Sequence, residues 1–150
     1  MVRLEVIEMQ EPGCEALDAL KAYAAVSDEG QDYLLKIALR RAFGMVQNAS
    51  NRALLSGRFI IKAADHPREI RAYMGGQCVS VKGEDGAEVP WHQRGEYIHV
   101  GTDWPVEAEV VTHVNEADYD ELLPVVLKYA TAIYDGKDSR ELGEILRECL

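Results

Sequence analysis

The chain has 150 residues, 47% of them apolar, and a formal net charge of −10 from 26 acidic and 16 basic side chains. That length suits one ordinary domain with a real core and leaves no room for a second independent one. The sign of the charge disfavours gripping a nucleic-acid backbone or an anionic lipid surface, since both need clustered Lys and Arg.

Cys14, Cys78 and Cys149 are an odd number of separated thiols with no CxxC pair, so neither a disulfide framework nor a thiolate zinc site is indicated, and a reducing cytoplasm suits them. No stretch reaches the roughly 20 apolar residues of a membrane helix, and the acids within MVRLEVIEMQ argue against a signal peptide.

In chain order, Val2 to Ile7 predicts a short strand, and Pro12-Gly13 punctuates the chain before Leu17, Leu20 and Ala24 recur at helical spacing. Ser27-Asp28-Glu29-Gly30 is expected to end that helix and open a second one, with Ser27 as the cap and Asp28, Glu29 and Asp32 at the positive end of the dipole. The two helices together occupy 14–49.

From Asp32 to about Ala49, Leu34, Ala38, Ala42, Met45, Val46 and Ala49 form one stripe, which Leu35, Leu39 and Phe43 widen beyond one core face. A helix so broadly apolar must be enclosed by its own fold or by a neighbouring subunit. Leu35, Leu39, Phe43, Arg40 and Arg41 are therefore subunit-interface candidates; the adjacent basic pair suits a partner's acids, although a solvated helix face accounts for it better.

A β region of about four antiparallel strands is expected over 57–113. Its components are Arg58 to Lys62, the alternating Ile70, Ala72 and Met74, Cys78 to Lys82, Glu96 to Val100 and Pro105 to His113. Asp85-Gly86 between two strand-like runs has the chemistry of a tight hairpin tip with positive φ, and Trp104 is expected to pack the corner before the last strand.

The acids Glu116, Asp118, Asp120 and Glu121 lack the calcium-loop pattern and predict a solvated loop leading to a helix N-terminus. Pro124, tolerated in a first turn, then places the start of the third helix near Glu121 to Leu123. Leu122, Val126, Tyr129, Ala130 and Ile133 supply its core stripe. Asp135-Gly136 ends it, and Asp138-Ser139-Arg140-Glu141 opens a terminal helix with Leu142, Ile145, Leu146 and Cys149 on one side. The C-terminal helices span 121–150, and the fold class is α+β, mostly a helical bundle with an inserted β region in one domain, 1–150.

No GxGxxG, GxxxxGK[ST], HExxH or GxSxG is present, so no catalytic residue or cofactor is assigned. His92, His99 and His113 are the best metal candidates, but their spacing is not diagnostic and half-buried strand histidines account for them better. Cys78 is read as core packing. A small ligand-binding or enzymatic domain with a pocket around Trp91, His99 and His113 is the alternative from another class.

The order of these segments resembles the head-tail connector (adaptor, or head-completion) proteins of long-tailed bacteriophages over roughly residues 14–137. The likeness is carried by Leu17 to Tyr23, the acidic junction Ser27 to Leu35, and Ala49 to Leu54 at the end of the long helix. Gly83 to Gly86, Trp104-Pro105, and Leu123-Pro124 through Tyr134-Asp135 follow in the same order. The segment His66 to Tyr73 departs from the family, where a proline-rich apolar strand often stands.

The resemblance implies a non-catalytic virion protein assembled in the bacterial host cytoplasm. It would form a ring of about twelve copies under the portal protein, extending the DNA channel to the next neck or tail-completion protein. DNA would pass without specific binding, and an acidic wall would let it slide. Tyr129 and Tyr134 join the interface candidates; Arg140, Leu142, Ile145, Leu146 and Leu150 are portal-docking candidates, with packing of the terminal helix back onto its own domain an equal alternative. Another neck protein, a stopper or tail terminator, is the nearest alternative.

Overall fold

A computed structural model describes residues 2–64, 69–101 and 105–150. The chain divides into two compact units, Met1–Gln10 with Leu55–Val114 and Glu11–Leu54 with Asn115–Leu150. Helices and antiparallel strands segregate between them, which defines an α+β protein.

Among the described residues the first unit holds seven strands: β1 (Val2–Met9), β2 (Gly57–Ala63), β3 (Glu69–Arg71), β4 (Gln77–Gly83), β5 (Trp91–Arg94), β6 (Tyr97–Val100) and β7 (Val106–Thr112). They form a four-stranded sheet ordered β1-β2-β7-β4 and a three-stranded sheet ordered β3-β6-β5. The expectation of about four strands inserted after the helices is corrected on two counts. β1 pairs with β2 from Val2 to Met9 with a bulge at Ile7, so in chain order the first helical segment falls between two paired strands, and β5 is an additional strand.

Alternation governs which residues are buried, since successive side chains point to opposite faces. Phe59, Ile61 and Ala63 on β2 are cross-strand neighbours of Val110, Ala108 and Val106 on β7, and all six are buried. The opposite face carries a ladder of charge: Arg58 pairs with Glu109, and Lys62 lies 2.8 Å from Glu5 and 3.7 Å from Glu107. Gly76, just before β4, is held by close approach, because an added Cβ would sit 2.4 Å from Val110 Cγ1.

β4 leads into the Asp85-Gly86 turn. Gly86 N–H donates to Gly83 O at 3.0 Å, Ala87 N–H donates to Asp85 Oδ1 at 3.0 Å, and Gly86 has φ +80°. A second hairpin joins β5 to β6 through Gly95-Glu96, with Gly95 at φ +61°, the sign that two-residue hairpin loops require.

The second unit is four helices: α1 (Cys14–Tyr23), α2 (Asp32–Ser50), α3 (Glu116–Tyr134) and α4 (Ser139–Cys149). α1 ends earlier than Ser27, with Ala25 at φ +55° and Val26 N–H donating to Lys21 O at 2.9 Å. Asp28, not Ser27, caps the 3-10 turn Glu29–Gln31 that leads into α2, accepting from Gly30 N–H at 2.8 Å.

α3 begins at Glu116, well before Pro124. Asn115 Oδ1 accepts from Asp118 N–H at 3.1 Å, so the acids expected in a loop occupy the first turns, where the helix dipole favours them. Pro124 is an interior residue on the exposed side, and exposed Asp120, whose carbonyl loses its helical partner, is left within reach of water. Gly136, at φ +75°, closes α3 as Lys137 N–H donates to Ala132 O at 3.0 Å. Asp138 Oδ1 then caps α4 by accepting from Glu141 N–H at 2.9 Å.

Candidate assembly surfaces

α2 sits among α1 and α3, and this enclosure decides what each of its residues can do. Leu35, Leu39 and Phe43 are 0%, 1% and 1% exposed, as core residues are. Phe43 stacks on Tyr119 of α3 with ring centroids 5.9 Å apart. The extra apolar width that pointed to these three as interface residues is taken up inside the chain, and they are corrected to core. Tyr129 on α3 is likewise buried.

The apolar surface that remains on α2 lies elsewhere. Tyr33 is 74% exposed and Leu34 53% exposed, and Ile37 and Met45 are also exposed. Leu34, Ile37, Arg41 and Met45 follow at spacings of three, four and four, which puts them on one side of the helix. The sequence contained this signal, since Leu34 and Met45 lay in the stripe, but periodicity alone does not say which part of a broad stripe is covered.

Arg40 is engaged by Glu11 at 2.7 Å, and Arg41 is exposed. Half-buried Tyr134 donates its hydroxyl proton to Gln31 Oε1 at 3.0 Å, tying the end of α3 to the turn before α2. On α4, Leu142, Ile145 and Leu146 are half-buried, Leu150 is exposed, and Arg140 lies 3.6 Å from Glu144 one turn on. α4 is polar on its remaining positions, so its apolar line is narrow.

The alternative pocket does not assemble as the sequence reading drew it. Trp91 lines an open groove of about 540 Å³ with Gly76, Gln77, Cys78 and Gln93, but neither His99 nor His113 lines it. Gln93 organises this groove: its Oε1 accepts from Cys78 N–H at 2.7 Å and its Nε2 donates to Gly76 O at 2.9 Å. The Cys78 thiol is pushed up to about 11 by burial.

His92 and His99 form a cross-strand pair on the three-stranded sheet, rings stacked at 4.8 Å, with Glu69 Oε1 3.5 Å from His99 Nδ1. His113 is exposed beyond the end of β7. Among the described residues no group of three or more His, Cys, Asp or Glu side chains is placed to hold a metal, and no helix is long and apolar enough to cross a membrane. Trp104 and the segment 65–68 lie outside the described residues.

These elements define a two-unit antiparallel α+β fold, and the comparisons recover it at the level of structure. No protein-family model matches the sequence, and no curated protein matches it. A solved structure described as the neck of an empty GTA particle computed with C6 symmetry contains a chain of similar fold. The TM-score is 0.62 over 90% of this chain and 84% of that one, at 17% sequence identity. At that identity the likeness is one of fold.

Proposed function

We propose that the chain is a structural neck subunit of a phage-like particle, a head-tail connector that forms a ring beneath the portal protein and continues the DNA channel to the next neck or tail-completion protein. The observation that carries this reading is the fold likeness to a particle-neck chain over nine-tenths of the sequence. An order of about twelve copies is compatible with a neck averaged in six-fold symmetry, twelve being a multiple of six.

A ring closed by rotation uses two different patches on each subunit. The exposed line Leu34, Ile37, Arg41 and Met45 on α2 is the patch that a neighbouring copy covers, replacing the buried Leu35, Leu39 and Phe43 in that role. The narrow apolar line of α4, with Arg140 and Leu150 beside it, is the portal-docking segment. Tyr134 positions the end of α3 through Gln31. The wall facing DNA is acidic, in keeping with a net charge of −10, so the duplex slides without being held.

Purified particles test this reading. Peptides of the chain should be recovered from them, and deletion of its gene should leave DNA-filled heads and free tails that fail to join. Cross-linking to the portal distinguishes a connector from a stopper or tail terminator, which would cross-link to other neck or tail proteins instead.

A further inference from the structure

We infer that β1 is a self-pairing edge strand, through which two copies of this chain join antiparallel over Val2 to Val6 with Leu4 opposite Leu4. β1 is the outermost strand of the four-stranded sheet, bonded to β2 on one side. Its pairing is regular from Val2 to Val6, and the bulge at Ile7 begins only beyond that stretch.

The opposite edge of the same sheet is closed by the chain itself. Along β4, Cys78 N–H is bonded to Gln93, Val81 O accepts from Val89 N–H, and Gly83 N–H donates to Ala87 O. Among the described residues β1 is bonded to no strand but β2, and an edge strand of regular geometry without proline is a template for another strand.

Its side chains specify which strand. Val2, Leu4 and Val6 continue the sheet face on which Ala63, Ile61 and Phe59 are buried, yet they are 43%, 38% and 53% exposed. In the antiparallel register with Leu4 facing Leu4, Val2 of each copy meets Val6 of the other. On the other face Arg3 of each copy meets Glu5 of the other, an opposite-charge pair made twice. A shift by one residue would turn the apolar set of one copy toward the charged set of the other, so the pattern selects its own two-fold complement.

The contact is small, and the pairing is accordingly weak. It closes on two copies, whereas a ring closes by rotation; it therefore describes the subunit outside the ring, and its failure would leave the neck reading intact.

Cysteine cross-linking of the full chain in a Cys14→Ser/Cys149→Ser background tests the register, at physiological salt so that the −10 charge of each copy is screened. Leu4→Cys places the two thiols on residues whose Cα atoms are about 4.5–5.5 Å apart, within disulfide range. Val6→Cys leaves them about 14 Å apart, four residues out of register. A disulfide dimer with Leu4→Cys at least tenfold in excess of that with Val6→Cys is expected. Adding Arg3→Glu should lower the Leu4→Cys yield about fivefold, and adding Glu5→Arg as well should restore it. Equal cross-linking at the two positions, a Leu4→Cys chain still uncross-linked at about 1 mM, or indifference to Arg3→Glu would overturn the proposal.

Discussion

The side-chain oxygen of Gln47, near the end of α2, accepts a hydrogen bond at 2.9 Å from the backbone N–H of Leu54, and both residues are almost fully buried. The chain leaves α2 through Asn51 in the left-handed conformation, and the bond holds the segment that follows against the helix it has just left. Replacing Gln47 by Leu keeps the volume and strands a buried amide, which costs about 1–3 kcal/mol. A thermal or urea melt of the Gln47→Leu chain should show that loss.

Phe43 and Leu34 separate core from the proposed assembly surface on one helix. Phe43→Ala empties a buried site stacked on Tyr119 and should destabilise the fold by about 3–5 kcal/mol. Leu34→Ser combined with Ile37→Ser removes exposed groups, so it should shift the melting midpoint little while abolishing incorporation into particles. Complementation of a gene deletion with each variant reads the second effect.

Ala25 holds φ +55° at the end of α1 and is exposed, so its Cβ is strained without any packing to compensate. Ala25→Gly should stabilise the chain by roughly 0.5–1 kcal/mol, visible as a higher denaturation midpoint at unchanged slope.

The pair Glu5–Lys62 ties β1 to β2 and gives that edge a pH window. The Lys62 ammonium hydrogen-bonds Glu5 and holds its carboxyl below the ordinary 4.5, while the Glu5 carboxylate, with Glu107 beside it, raises Lys62 above the ordinary 10.5. The Glu5 contribution is present above 4.5 and lost as pH falls through its lowered value. The Lys62 contribution is present below 10.5 and lost as pH rises through its raised value. Amide exchange along β1, corrected for intrinsic rate, should accelerate at both extremes, and Lys62→Met should flatten the profile.

The three thiols should differ in reactivity by burial alone. Exposed Cys14 should label first with a thiol reagent near pH 8, whereas Cys78, buried and with its thiol pushed up to about 11, should label only on unfolding.

Much of the fold was legible because its punctuation is local. Asp138 capping α4 and Asp85-Gly86 turning a hairpin are short-range chemistry that a sequence displays directly. Pro124 misled the reading of α3, because a proline at an exposed interior position is tolerated and the true start lay at Asn115, whose side chain reaches Asp118 three residues on. β5 escaped notice since Trp91-His92-Gln93-Arg94 carries no apolar alternation; its place is fixed by pairing with β6 and by Gln93 bonding Cys78 and Gly76, contacts that its own four residues do not announce. The proposed assembly surface was half visible: the apolar width of α2 was real, but which side α1 and α3 cover is a tertiary fact that moved the candidates from Leu35, Leu39 and Phe43 to Leu34, Ile37 and Met45.

The most direct test of the neck assignment is the location and number of this chain in the particle, read by electron cryomicroscopy of purified particles with quantitative peptide mass spectrometry. The assignment predicts density for the two-unit α+β fold in a ring at the head-tail junction, in about twelve copies. Absence of the chain from intact, tailed particles would contradict it.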